Sequence, residues 1–84
     1  MRFGYTIADN ASISVFKRVV QILQDEMGYT PDGRQFADVD GSIRQTFQKS
    51  GDRLTVECDQ QIDYVGIISD KELAIDCIAR WDAD

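Results

Sequence analysis

Ile43-Arg44-Gln45-Thr46-Phe47-Gln48 and Arg53-Leu54-Thr55-Val56-Glu57-Cys58, joined by Lys49-Ser50-Gly51-Asp52, decide the fold. Folded back through that loop, the two segments set Ile43 against Cys58, Gln45 against Val56 and Phe47 against Leu54. The other side then pairs Arg44 with Glu57, Thr46 with Thr55 and Gln48 with Arg53. Because side chains alternate across a strand, one face is apolar and the other polar, with a complementary charge pair on the polar one. A slip of one residue would turn Phe47, Leu54 and Val56 to water, so the register is strongly specified.

Outward from this hairpin the signals weaken. Upstream, Asp40-Gly41-Ser42 reads as a three-residue loop that sets Val39 against Ile43 and Asp38 against Arg44, leaving Phe36 on the polar side. Before it, Tyr29-Thr30-Pro31-Asp32-Gly33 is turn chemistry, with proline presetting φ and glycine free to take positive φ. Downstream, Ile62-Asp63-Tyr64-Val65-Gly66-Ile67-Ile68 is apolar on both faces and fits a short buried strand.

At the start of the chain, Phe3, Tyr5 and Ile7 alternate with Gly4, Thr6 and Ala8, as a strand with one core face would. Asp9 or Asn10 then supplies a capping oxygen for a helix over about 11–27. Ile13, Phe16, Val19, Val20, Leu23 and Met27 form its apolar stripe, and Gly28 stands where a left-handed cap is expected. Val15 and Ile22 widen the stripe on one flank and are expected to pack under a loop.

Near the end, Ser69-Asp70-Lys71-Glu72 spells a capping box, which predicts a helix from 70 to about 81. Leu73, Cys77 and Trp81 line its inner side, and Glu72, Asp76 and Arg80 form a polar stripe. Leu73, Ile75, Cys77, Ala79 and Trp81 also alternate as a strand would; that alternative makes 60–70 the second helix, in the order β-α-β-β-α-β. The capping box favours the helix. The expected fold is a single α+β domain over 1–84: an antiparallel sheet of four to five strands, two helices on one face, in the order β-α-β-β-β-(β)-α.

Sites of chemistry are hard to find in these residues. There is no histidine, which removes the commonest general base near neutral pH and the commonest metal ligand. No phosphate-cradling glycine loop occurs, and Cys58 and Cys77 lie too sparsely for a zinc site, so no cofactor and no metal are expected. Asp38-Val39-Asp40-Gly41-Ser42 fails as a calcium loop, because its first and twelfth positions would be Phe36 and Phe47. A hairpin turn is the simpler reading. Glu57, Asp59 and Asp63 sit in a polar stretch with nothing to desolvate them. Both thiols read as small core hydrophobes, although a Cys58–Cys77 bridge is compatible with the spacing.

Charge is unevenly distributed. Residues 1–56 hold seven acids and seven bases, whereas residues 57–84 hold eight acids against Lys71 and Arg80, so the whole net charge of −6 arises in the last third. That disfavours direct binding to nucleic acid or an anionic membrane. No charged-then-apolar leader opens the chain and no apolar run approaches the roughly 20 residues of a membrane span. A reduced, cytoplasmic setting is therefore expected.

These features point to a small acidic non-enzymatic protein-binding module, an inhibitor or adaptor acting on a basic partner through Glu72, Asp76, Ile78, Trp81 and Asp82. Trp81 beside Arg80 has the composition of a binding hot spot, the other reading being that Trp81 closes the core where the last helix docks. The alternative is a self-associating, dimeric or small-ligand-binding protein, for which an over-wide apolar face on the last helix would serve as the contact.

Overall fold

The computed structural model describes residues 2–73. Within them the chain runs β1 (Phe3–Ala8), α1 (Ile13–Asp25), β2 (Thr30–Pro31), β3 (Phe36–Ala37), β4 (Ile43–Lys49), β5 (Asp52–Asp59) and β6 (Tyr64–Ser69). The strands form one six-stranded antiparallel sheet in the order β1-β6-β5-β4, with β2 and β3 both on the outer edge of β4. The architecture is thus α+β, with more strands than the four or five expected. The surplus is β2 and β3, two residues each, which no periodic pattern can reveal. Pro31 sits in β2 at the sheet's edge, where its missing amide costs no ladder bond.

The central hairpin has the register its two faces demand: Ile43 faces Cys58, Gln45 Val56 and Phe47 Leu54, with Arg44, Thr46 and Gln48 opposite Glu57, Thr55 and Arg53. Ser50 and Gly51 turn the corner at positive φ, 52° and 88°. β6 then joins β5, with Val56 against Ile67 and Cys58 against Val65, and β1 closes the far side with Tyr5 against Ile67. Phe47, Leu54, Val56, Cys58, Val65 and Ile67 therefore project to one side and are fully or almost fully buried.

α1 lies over that side. Phe16, Val19 and Leu23, spaced three and four apart, are its buried residues. Val15, Val20, Ile22 and Met27 pack partly buried around them, so the widened stripe is core and not an outer surface. Gly28 takes φ +76°, which lets the Tyr29 amide reach back to the Leu23 carbonyl at 2.9 Å.

Ser12, and neither Asp9 nor Asn10, caps α1: its hydroxyl accepts from the Val15 amide at 3.2 Å. The start is fixed from elsewhere in the fold, because the Asp63 carboxylate accepts the Ala11 amide at 2.8 Å. Ser12→Ala is expected to lower the unfolding free energy by about 1 kcal/mol in a urea titration. Asp9→Ala should leave it unchanged; the reverse result would move the cap.

Two further expectations are corrected. The β3–β4 connection spans 38–42 and is not the three-residue Asp40–Ser42 loop: Ala37 faces Ile43 and Phe36 faces Arg44. The Asp38 amide donates to the Ser42 carbonyl and the Gly41 amide to that of Asp38, which closes the loop around Val39 and leaves this valine fully exposed. Ser69 does not begin a helix. It ends β6, buried, and its hydroxyl accepts from the Lys71 amide at 3.1 Å and donates to the Lys71 carbonyl at 2.7 Å. The hydroxyl is held inside a tight turn, so it cannot cap at Glu72, and residues 70–73 are not helical. The rival reading, with 60–70 as a helix, fails because 60–63 is a turn and Tyr64–Ser69 a strand. The rest of the predicted second helix, 74–81, lies outside the described residues, which contain one helix. No helix among the described residues is long and apolar enough to cross a membrane.

Candidate binding surface

A sheet with its apolar side under a helix has a second side, and here none of the described residues covers that side, which we term the open face. Alternation puts Arg44, Thr46 and Gln48 of β4, Arg53, Thr55, Glu57 and Asp59 of β5, and Tyr64, Gly66 and Ile68 of β6 on it. Gly4 and Thr6 of β1 continue it at one edge and Phe36 of β3 at the other. Its middle row, Gly4, Ile68, Thr55 and Thr46, is uncharged, and the two threonine hydroxyls share a hydrogen bond of 3.1 Å. Arg2 and Asp70 border it, and with Arg44, Arg53 and Glu57 they line a shallow concavity of about 500 Å³.

The apolar members are unusually bare. Phe36 is 57% exposed and Ile68 37%. The Arg44 guanidinium lies over the Phe36 ring at 5.9 Å, within reach of a cation–π attraction. Arg53 pairs with Asp32 at 3.0 Å, an exposed contact worth little by itself. Arg2 and Arg44 make no ion pair among the described residues.

Gly66 makes room for the most constrained side chain on the face. With no Cβ there, the Tyr64 ring lies along the strand over Gly66, and its hydroxyl donates to Glu57 Oε1. Burial first, and then the hydrogen bond to Glu57 and its charge, push the Tyr64 phenol up to about 12. The sign follows from linkage: a phenol that ionises near 10 unfolded and near 12 folded stabilises the fold below pH 10 and loses that contribution between them. Ultraviolet titration should show Tyr64 as the latest of the three tyrosines, and Glu57→Gln should bring it to lower pH.

The acids that the sequence groups in its last third serve separate ends in space. Asp59 Oδ1 accepts the Gln61 and Ile62 amides at 2.9 and 3.0 Å and shapes the β5–β6 turn. Asp63, held at φ +63°, ties that turn to the start of α1. Glu57 is on the open face, while Asp70 and Glu72 follow β6 at the opposite end of the sheet. Asp40 is a loop acid: its carboxylate accepts the Ser42 amide at 2.9 Å, which holds its pKa below the ordinary value. The Asp38–Ser42 stretch is thus a connection between strands, as the turn reading has it.

Reactive groups are held in their neutral forms. Cys58 carries a free thiol with no exposed surface, and burial, then Asp59 and Asp63, push its pKa up. Cys77 lies outside the described residues. A thiol reagent should therefore label Cys58 only as fast as the protein unfolds; rapid native-state labelling at this position would contradict its placement. Burial, then Asp52, raises Tyr29 as well. A second hollow of about 380 Å³ lies at the end of α1. Both of its cations are already engaged: Lys49 Nζ donates to the Met27 carbonyl at 2.7 Å and lies 5.9 Å from the Tyr29 ring, and Lys71 pairs with Asp52 at 3.8 Å. Among the described residues no group of three or more potential metal ligands gathers.

Of the residues first singled out for partner binding, Glu72 is exposed beyond β6, and Asp76, Ile78, Trp81 and Asp82 lie outside the described residues. The open face was missed as a site although its strand positions were legible. Phe36 on the polar side looked like a flaw in the register, whereas it is an exposed aromatic beside an arginine with no ion pair among the described residues. Comparison with protein-family models, curated proteins and solved structures finds no match to this chain.

Proposed function

We propose that the protein is a non-enzymatic binding module whose working surface is the open face of the sheet. The observation that supports this reading is the company Arg44 keeps. An arginine with no carboxylate partner among the described residues lies 5.9 Å from the ring of a phenylalanine that is 57% exposed, beside a central row of uncharged residues. Arginine and aromatic groups supply most binding energy at protein interfaces, and small neighbours let a partner approach the backbone closely. The tyrosines and cysteine with shifted pKa values stay protonated at neutral pH, which suits a scaffold better than a base or nucleophile.

A photo-crosslinking residue in place of Thr55, at the centre of the face, tests the reading against one in place of Lys17 on the exposed side of α1. A defined protein adduct from position 55 alone, lost on Arg44→Glu, is the expected result. Equal adducts from both positions, or none from 55, would overturn it.

A second reading rests on the charge distribution: docking onto a basic protein, as an inhibitor or adaptor, through Glu72, Asp76, Ile78, Trp81 and Asp82. It predicts that the adduct forms from a crosslinker at Trp81 and not at Thr55. The engagement of Asp59 and Asp63 by backbone amides weakens it, because a phosphate-mimicking surface needs its carboxylates free.

A further inference from the structure

We infer that the occupant of the open face is a second copy of this chain, packed face to face about a two-fold axis that passes over Thr55. The inference rests on the proposed role of that face and adds the identity of its partner.

The argument is one of self-complementarity. On the open side of β5, Arg53 and Glu57 stand two residues to either side of Thr55, with opposite charges. An axis along the row Gly4, Ile68, Thr55 and Thr46 reverses the strand direction and lays β5 on the β5 of the copy. Each Arg53 then meets the copy's Glu57, twice per dimer, which is what a closed isologous contact requires. The same operation sets Arg44 against Gln48 of the copy, whose amide oxygen can accept from a guanidinium. Like charges do not oppose one another across this axis. A foreign acidic segment would instead meet Glu57 and Asp70 among the arginines, and a foreign basic one would meet Arg2, Arg44 and Arg53.

Shape agrees with the charge pattern. Gly4, Gly66, Thr46 and Thr55 keep the middle of the face low, and Ile68 stands proud of it as an apolar knob. Two such faces can approach to roughly the 10 Å of ordinary sheet-on-sheet packing. The paired strands span a plane of roughly 20 Å by 20 Å. That plane is about 400 Å², roughly half of the 800 Å² per partner of a standard interface, which places the dimer in the weak, concentration-dependent class. A chain of 84 residues also gains from a partner subunit, because its own core is small.

Sedimentation of the pure protein over a range of concentrations reads the outcome directly. The wild type should move from 9.5 kDa towards twice that mass as concentration rises. Arg53→Glu and Glu57→Arg should each raise the dimer dissociation constant by about 30-fold or more, since both contacts become repulsive. Mixing the two variants should restore a dimer, because a heterodimer of them matches every pair. Circular dichroism melts of each variant separate lost association from lost folding. As an independent readout, a short bis-maleimide should join Thr55→Cys proteins in a Cys77→Ser background into a covalent dimer, because two residues on the axis of sheets about 10 Å apart lie within its reach and beyond that of a direct disulfide. A monomer at all concentrations, or a dimer insensitive to both reversals, overturns the inference. If the protein is a monomer yet a crosslinker at Thr55 captures a foreign protein, the face binds and only the identity of its partner was wrong. If nothing is captured there, both readings fall together.

Discussion

Phe47→Ala should lower the unfolding free energy by roughly 3–5 kcal/mol, the ordinary cost of deleting a fully enclosed ring. Phe47 has no exposed surface and is the largest of the fully buried side chains. It stands on β4, opposite Leu54 on one side and Pro31 on the other, so the cavity would open where three strands meet. An 84-residue domain has roughly 4–13 kcal/mol of stability in total, so this one substitution removes a large part of it. Phe36→Ala is the matched control. The residue type is the same, but the ring is 57% exposed on the opposite side of the sheet. Its loss should change stability by no more than about 0.5 kcal/mol, as at most surface positions. Urea titration of both variants therefore separates a core face from a working face. Equal losses would mean that Phe36 is structural, and the proposed binding surface would lose its aromatic anchor.

That contrast also marks what the residues made legible. The β4–β5 register could be read because its two faces differ in polarity at every pair, and a shift of one would have inverted them. The β3–β4 register could not, for a related reason: a three-residue and a five-residue connection differ by a shift of two, and alternation has a period of two. Ala37 opposite Ile43 satisfies the pattern as well as Val39 does. The choice was made by backbone hydrogen bonds inside the 38–42 loop, which leave no trace in hydrophobicity.

Caps failed in a similar way. Asp9, Asn10 and Ser12 can all cap a helix, and a carboxylate 52 residues away, on Asp63, takes the Ala11 amide beside them. Ser69 and Glu72 carry the spacing of a capping box, yet the hydroxyl is used up within two residues in a turn. A local motif states what a side chain is able to do, and the tertiary structure decides whether it does so. The candidate site shows the same limit. Summing charge along the chain joined Glu57, Asp59 and Asp63 into one acidic surface, whereas Asp59 shares the open side of β5 with Glu57 but is spent on two amides of its turn, and Asp63 holds the start of α1.

Gly66→Ala should cost about 2 kcal/mol, although Gly66 needs no unusual backbone angle. Space alone requires the glycine. A methyl there would meet Cε2 of Tyr64 and come within 3.0 Å of the Tyr5 carbonyl oxygen. The ring can swing aside by rotating about its own bonds. The carbonyl belongs to β1, paired along β6, and can move only with its strand. Moving the ring breaks the hydrogen bond to Glu57 and exposes the phenol, so Tyr64 should titrate well below its value of about 12. Both effects share one cause, which the double variant Tyr64→Ala/Gly66→Ala can demonstrate. With the ring gone, the added methyl meets only the carbonyl, and its cost should fall below that measured in the wild type. The displaced ring would also stand up from a face that is otherwise low beside Thr55. Gly66→Ala should therefore weaken any association through that face, while Phe47→Ala acts on folding first. A Gly66→Ala protein with unchanged stability and an unchanged late tyrosine would mean that the Tyr64 ring does not rest on Gly66, and the flat face inferred from it would have to be redrawn.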